Sequence, residues 1–586
     1  MAVAAQNNSP AIATTLKEDG VAPGKTKVAS DATNSHETDD PTKSPVEGSQ
    51  KQESPKHHYP WRFWVIFPAL CITGFLASLE GSLVTTAMPT INNELRTGYN
   101  YIWAINAFFL TSAALQPLYG QLANIFGRRW VTVGAYAVFL LGSGIAGGAS
   151  SANMLIAGRA IQGAGSGCLV MMLDLVVSDL VPVRQRGSFM GITFAAVNIG
   201  TALGPFVGGT IVDSISWRWA FYINLPIAGA ATVVVFFTLN TSYRKDLVKE
   251  RLLRIDLVGN TILVAATVSI LFALSVGGAT YSWSSWHVLV PLILGFVGFA
   301  LFIGYEASGI PSQPVVPLRL FANRTSSAAY LITGIWSILS MWRIYFLSIY
   351  FQGVQASSPA RAGVQILPSV LMLLPAVILS GGVMKKTGKF IPIHLIGLGM
   401  TVVGHGLYTI LSPTSSTATW VLVQIVTGFF SNLVLPCLLP AVQAGLLEKD
   451  TAAATAFWGF VRSFGIIWGV TIPAAILNNR FSSLLHTISD PAVRELLSAG
   501  KAYERASKAF VNSYSDPVRS EIINAYSKSL KRTWEVSIAF AAVAFLVVFI
   551  EREVKMRTTV ESEYGLKGEK AKDAENDGNE EGLPSN

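Results

Sequence analysis

Six ionisable side chains fall inside long apolar runs of this sequence: Glu80, Arg159, Asp174, Arg343, His405 and Arg462. A charged group at the centre of a lipid-spanning helix costs about 2.5 to 3.5 kcal/mol on insertion scales, so each is a functional candidate by default. Glu80 could take up and release a proton, or it could be a wet structural carboxylate near one end of its helix. Arg159 cannot titrate usefully; its fixed charge can tune a nearby carboxylate or bind a substrate, or else it hydrogen-bonds helix carbonyls. Asp174 lies near the other end of its run and reads either as a proton carrier or as a structural group at the interface. Arg343 and Arg462, with Gln162 and Asn198, could line a cavity, although snorkelling or pairing at the surface fits the two arginines equally. His405 reads first as a hydrogen-bonded interior histidine.

Glycines and basic residues form two further constellations. Gly200, Gly204 and Gly208 recur every four residues, which leaves one helix face bare for close packing; Pro205 and Gly209 belong to the same run. The expected partner is a helix of the other half, and the contact would seal the outer-closed state. Gly120, Asn124, Gly127, Arg128 and Arg129 make a short basic turn, either an anchor on the positive side or a latch in which Arg128 and Arg129 pair with Asp179. Trp103, Phe108, Phe109, Trp336, Trp342, Phe429, Phe430 and Trp458 could wall a cavity for flat compounds, or face lipid and neighbouring helices.

The elements that must position these groups follow from composition. Only 13% of the 586 residues are charged, 51% are hydrophobic and the mean hydropathy is +0.45; soluble domains carry about a quarter charged residues. Cys71, Cys168 and Cys437 all sit in apolar stretches, so no disulfide framework is expected. A secreted scaffold, a disordered regulator and an ordinary cytosolic enzyme all fit poorly. Residues 1–58 and 551–586 are polar and read as disordered tails, the first without a signal-peptide pattern and the second acidic. Between them we count fourteen apolar windows of about 20 residues, each long enough as a helix to cross the ~30 Å hydrocarbon layer. The seventh and eighth are divided only by the stretch 280–287, and a thirteen-helix count with the carboxyl terminus outside is the competing reading.

Charge sets orientation. With the amino terminus inside, the inner connections hold fifteen Lys/Arg, from Arg128 to Lys449, and the short outer ones only Arg96, Arg218 and Arg361. The segment 480–533 carries nine Lys/Arg on the outer side, and its Phe481, Leu484, Leu485, Ile488 spacing suggests an amphipathic helix on the outer surface. An internal repeat is visible: Val197 to Gly204 returns as Arg462 to Gly469, Arg159 to Gly163 returns as Gln424 to Gly428, and Gly120 to Arg129 has a weaker echo in Gly381 to Lys389. The expected organisation is an all-α membrane protein of 14 transmembrane helices: a six-helix half over 59–240, two linking helices over 241–310 and a second six-helix half over 311–550.

On these residues the chain resembles the major facilitator superfamily, specifically its fourteen-span drug:proton antiporter branch common in fungi. Gly120 to Arg129 resembles the loop signature between spans two and three, with Asn124 where the family usually has Asp. Gly158-Arg159-x-x-Gln162-Gly163-x-Gly165 is similar to the span-four motif. Gly200-x-x-x-Gly204-Pro205-x-x-Gly208-Gly209 is similar to the span-five motif held to mark exporters, and Trp217 to Pro226 follows it. Leu79-Glu80-Gly-Ser-Leu-Val84 has Glu where that branch usually has Asp. The resemblance implies a monomeric, cofactor-free, multi-pass carrier of the plasma membrane, or of the vacuolar membrane, with both termini cytosolic. It implies proton-coupled export of toxins, secondary metabolites or drugs, with Glu80, Arg159 and Asp174 in coupling.

No phosphate-binding Gly-x-x-x-x-Gly-Lys-Ser/Thr run occurs, so ATP is not the expected direct energy source. About two pH units supply roughly 2.7 kcal/mol per proton and about 100 mV adds ~2.3, enough for a concentration ratio on the order of a thousandfold. The expected partners are a small molecule, protons and the lipid bilayer, with no nucleic acid and no metal. Two other classes stay open: a vacuolar or uptake carrier for nutrients such as basic amino acids or siderophores, and a membrane sensor signalling through its tails.

Overall fold

Each apolar window had to satisfy its backbone internally, and helices do so. The computed structural model describes residues 59, 61–95, 101–239, 254–278, 281–498, 501–503, 505–554 and 556, and among them it is all-helical, with no strand. In order these are α1 (Trp61–Leu95), α2 (Tyr101–Ala114), α3 (Gln116–Phe126), α4 (Arg128–Gly147), α5 (Ala152–Leu180), α6 (Val183–Ser214), α7 (Trp219–Tyr222) and α8 (Asn224–Thr238). There follow α9 (Leu257–Val276), α10 (Trp286–Ala307), α11 (Arg324–Ile349), α12 (Pro359–Leu371), α13 (Leu373–Thr387), α14 (Ile391–Tyr408), α15 (Thr417–Ala444) and α16 (Thr451–Leu484). Last come α17 (Pro491–Leu497), α18 (Lys508–Val511) and α19 (Val518–Val548). Eleven stretches among the described residues are long and apolar enough to cross a membrane. Residues 1–58, Arg96, the basic stretch 240–253 and, of the expected carboxyl-terminal tail, 555 and 557–586 lie outside the described residues, whereas Glu551 at the start of that tail is buried against the bundle.

Local chemistry sets the helix ends. Ser151, Asn323, Ser358 and Ser416 each accept a hydrogen bond from a backbone N–H of the turn they open, satisfying a donor the helix would leave orphaned. Two turns need glycine for its backbone: Gly127 at φ +82°, the single residue between α3 and α4, and Gly388 at φ +70°, which ends α13.

The packing of residues 61–238 recurs in 324–548. In the first set α1 lies along α6, α5 packs on α4 and α2, and α8 on α4 and α1. In the second, α11 lies along α16, α15 packs on α14, α12 and α13, and α19 on α14 and α11. α9 and α10 pack on each other, and Phe299 of α10 meets Phe460 and Phe464 of α16. The two sets touch mainly where α13 meets α6 and α3 meets α16. Those are the segments next to Lys385 and Arg128, so the molecule is closed at its basic end.

The segment 480–533 differs from its expectation. α16 continues through Leu484, and Phe481 and Ile488 are fully buried against protein, as are Val493, Leu497 and Val511. They pack with Trp342, Phe346 and Phe351 in one apolar cluster. The apolar spacing that suggested a membrane-surface face is satisfied by the bundle itself.

Candidate functional site

The glycines of α5 bring the first cluster together. A side chain at Gly163 would collide with the α2 backbone at Phe108, and one at Gly165 with α4 at Phe139, so three backbones approach closely around Arg159. Arg159 Nη1 donates to Glu80 Oε1 at 2.9 Å and to Gln162 Oε1 at 2.7 Å, and its Nε donates to the Ala104 carbonyl at 3.0 Å. Asn224 Nδ2 donates to Glu80 Oε2 at 2.6 Å, and Gln162 Nε2 to Ser143 Oγ at 2.8 Å. The Phe108 ring lies 4.2 Å from the guanidinium carbon. All five polar side chains of this network are buried completely. Gln162, expected to line a cavity, is spent inside this network. Asn224 was not singled out as a site residue, although it falls within the stretch Trp217 to Pro226 that follows the glycine run.

A second cluster joins the two helix sets. Asp174 of α5 lies 3.6 Å from Arg462 Nη2 of α16, and the arginine sits over the rings of Trp458 and Phe194 at 4.8 and 5.5 Å. The carboxylate that sequence placed at an interface is thus buried and paired, and Arg462 neither lines the cavity described below nor snorkels outward. Beside it Gln116 Nε2 of α3 donates to Ser463 Oγ of α16 at 3.1 Å.

The basic turn forms a third. Arg128 Nε donates to Asp179 at 2.7 Å while its Nη1 donates to the Ala123 carbonyl and to Asn124 Oδ1 at 2.9 and 3.1 Å. Asn124 therefore still accepts from Arg128, without adding a charge. Arg129 does not share Asp179: its guanidinium stacks over Phe236 at 4.4 Å, because α4 turns it to the opposite face. In the second set Ala444 stands where the repeat would place a partner like Asp179. Gly120 faces Ala452 and Ala456 of α16. Arg184 donates to the carbonyls of Lys385 and Lys386 at 2.9 and 2.8 Å, and Arg186 to Gln443 Oε1 at 2.7 Å.

The exporter-type glycines pack differently from expectation. A side chain at Gly200 would strike Phe75 and one at Gly204 would strike Ser82 and Leu79, all on α1 of the same set. Gly208 is buried, and Pro205 and Gly209 fall outside the residues whose side chains are described. Close approaches between sets are made instead by Gly120, as above, by Gly381, which opens the echo of the basic turn, and by Gly187 and Gly191, which sequence reasoning did not single out: Gly187 faces Met384, Gly191 faces Val377, and Gly381 faces the backbone of Ser188.

A small cavity of about 40 Å³ opens between α6 and the second set, lined by Asn198, Trp336, Ser340, Arg343, Ile344, Ser369, Val370, Leu373, Asn432 and Leu435. Asn198 and Arg343 are thus where a cavity requires them. Among the expected aromatics Trp336 lines it, while Trp342 and Trp458 are core. His405 Nδ1 donates to the Thr401 carbonyl at 2.9 Å inside the bundle.

Outside the spans, three carboxylates anchor the basic end. Asp450 accepts three hydrogen bonds from Arg319, the shortest 2.6 Å, which pushes the arginine pKa above its ordinary value. After α19, Glu551 pairs with His394 at 2.8 Å, both fully buried side chains. Glu553 accepts from the Phe390 N–H, yet burial pushes its carboxyl pKa up.

Residues 70–263 match the profile of the Major Facilitator Superfamily. The chain is 44% identical over 541 residues to the MFS-type transporter pydD of Acremonium sp, covering 91% of this chain and 95% of that protein. It is 45% identical over 532 residues to the MFS-type efflux transporter ffsH of Aspergillus flavipes, covering 90% and 91%. In fold it is similar to the human organic anion transporter MFSD10, with a TM-score of 0.50 and 14% identity over 83% of this chain and 98% of that one.

Proposed function

The chain belongs to the Major Facilitator Superfamily, and we propose that it exports small organic compounds, such as secondary metabolites, toxins or drugs, by alternating access coupled to inward proton flow. The direction rests on relatives at 44–45% identity, one of them named an efflux transporter. The observation that carries the mechanism is the Asp174–Arg462 pair, because it ties the two helix sets together and must break for them to part.

The steps follow from charge. A proton on Asp174 removes the attraction to Arg462, so α5 and α16 can separate at the basic end. Loss of the proton restores the pair and closes that end again. Glu80 and Arg159 form a second, deeper carboxylate–guanidinium pair whose neutralisation changes how the first set packs internally. Arg128–Asp179 fixes the α3–α4 joint against α5 and keeps that set rigid while it rocks.

The full architecture in this reading is fourteen spans: two six-helix halves with α9 and α10 as extra linking helices, both termini cytosolic, working as a monomer in the plasma membrane. Support comes from the recurring helix pairing and from the basic residues gathered beside Arg128 and Lys385. The test is transport by the purified chain in liposomes with an imposed pH gradient. Accumulation of an organic substrate that stops when the gradient is collapsed is expected; accumulation indifferent to the gradient would refute the coupling.

A further inference from the structure

Among the described residues, the buried arginines Arg128, Arg159 and Arg186, and the mostly buried Arg462, each have a carboxylate at 2.7 to 3.8 Å. Arg343 has none. Its side chain is 3% exposed, its Nη1 makes one long contact of 3.5 Å to the Thr427 carbonyl, and its Nε has no acceptor. Among the described residues it has no neighbour of opposite sign: no Asp or Glu occurs between Glu306 and Glu448, nor from Thr451 to Ser489, so α11 to α16 carry none. The acidic residues of α19 are also committed elsewhere or distant in kind: Glu535 pairs with Arg532 at the surface and Glu521 accepts from Ser489. The titratable groups beside Arg343 are His405 and Tyr408, neither a carboxylate.

Buried guanidinium groups are normally paired. This one lies on the wall of the cavity between α6 and the second set, with apolar wall from Trp336, Ile344, Leu373 and Leu435 and amides from Asn198 and Asn432. We propose that the missing partner is the substrate: the cavity binds small amphipathic organic acids, with a carboxylate or acidic enolate held by Arg343 and the carbon skeleton against Trp336. A planar guanidinium fork matches a carboxylate in two parallel hydrogen bonds, which an ammonium cannot do. This assignment rests on the export reading for its physiological sense but not for its binding chemistry.

The test uses the full chain in phosphatidylcholine nanodiscs with three probes of one shape: 2-naphthoate, methyl 2-naphthoate and 2-naphthylmethylammonium. The unaltered protein is expected to bind 2-naphthoate at least tenfold more tightly than the other two. Arg343→Gln removes that preference, Arg343→Lys keeps part of it, and Arg532→Gln, at an exposed position of α19, leaves it intact, each variant eluting as the parent does in gel filtration. Binding by the parent that ignores probe charge, including no binding at all, overturns the proposal, as does an unchanged preference in Arg343→Gln. Intact charge preference in a protein that moves no compound outward in liposomes would uphold the site while refuting export.

Discussion

Asp174 and Arg462 stand 3.6 Å apart on helices far apart in the chain, and they form an ion pair that spans the two helix sets. In the proposed mechanism this pair is a switch as much as a brace, because removing its charge would leave the helices packed but unlatched. Asp174→Asn is expected to slow gradient-driven transport about tenfold, equal to roughly 1.4 kcal/mol, with Asp174→Glu retaining part of the rate. Initial rates in liposomes against pH gradient check this, and a parent-like rate in Asp174→Asn would remove the pair from the mechanism.

Glu80 is held by Arg159 and Asn224 in a site without water access. Taking away one partner of a buried pair leaves the other charge unmatched, which costs about 3 to 5 kcal/mol. Glu80→Ala should therefore lower the thermal midpoint by more than Glu80→Gln, which still offers Arg159 an acceptor. The ranking is read from melting of the purified protein, and equal midpoints would contradict it.

The two kinds of glycine contact should fail differently. At Gly204 a bulky side chain meets the α1 backbone of its own set, so Gly204→Leu is expected to block folding and membrane delivery. At Gly381 it meets Ser188 across the seam. Gly381→Leu should fold, yet keep the basic end open, raising labelling of a cysteine placed at Ser463 by a water-soluble maleimide. Reduced delivery of Gly381→Leu with normal delivery of Gly204→Leu would reverse the assignment.

Glu551→Ala removes the partner of the buried His394 Nδ1. An unsatisfied buried donor costs about 1 to 3 kcal/mol. The midpoint should fall while the KM of transport stays put, and pairing it with His394→Ala should add less than the sum of the two single losses.

Much of the all-helical architecture was legible in the sequence because length and hydropathy dictate a spanning helix, and the offset that puts Gly204 and Gly469 in matching frames is echoed in the recurring helix pairing. The glycine partners were not: a four-residue spacing says that one face is bare, and nothing about which neighbour fills it, so Gly200 and Gly204 were assigned to the wrong side of the seam. The ion pairs were half legible. Arg128 and Asp179 sit in a recognisable turn, whereas Asp174 and Arg462 meet only because α5 and α16 fold together. Arg129 shows the limit of proximity in sequence, since one step along a helix turned it to Phe236 instead.

The lone residue Gly127 between α3 and α4 leaves no slack, and Arg128 is moored to Ala123 and Asp179 on either side of it. In the duplicate, Gly388 is followed by Lys389 and Phe390 before α14 begins. The first copy is thus a stiff elbow and the second a compliant one. Torque applied at the seam will swing α3 and α4 as a single lever, while α13 can tilt with α14 standing still.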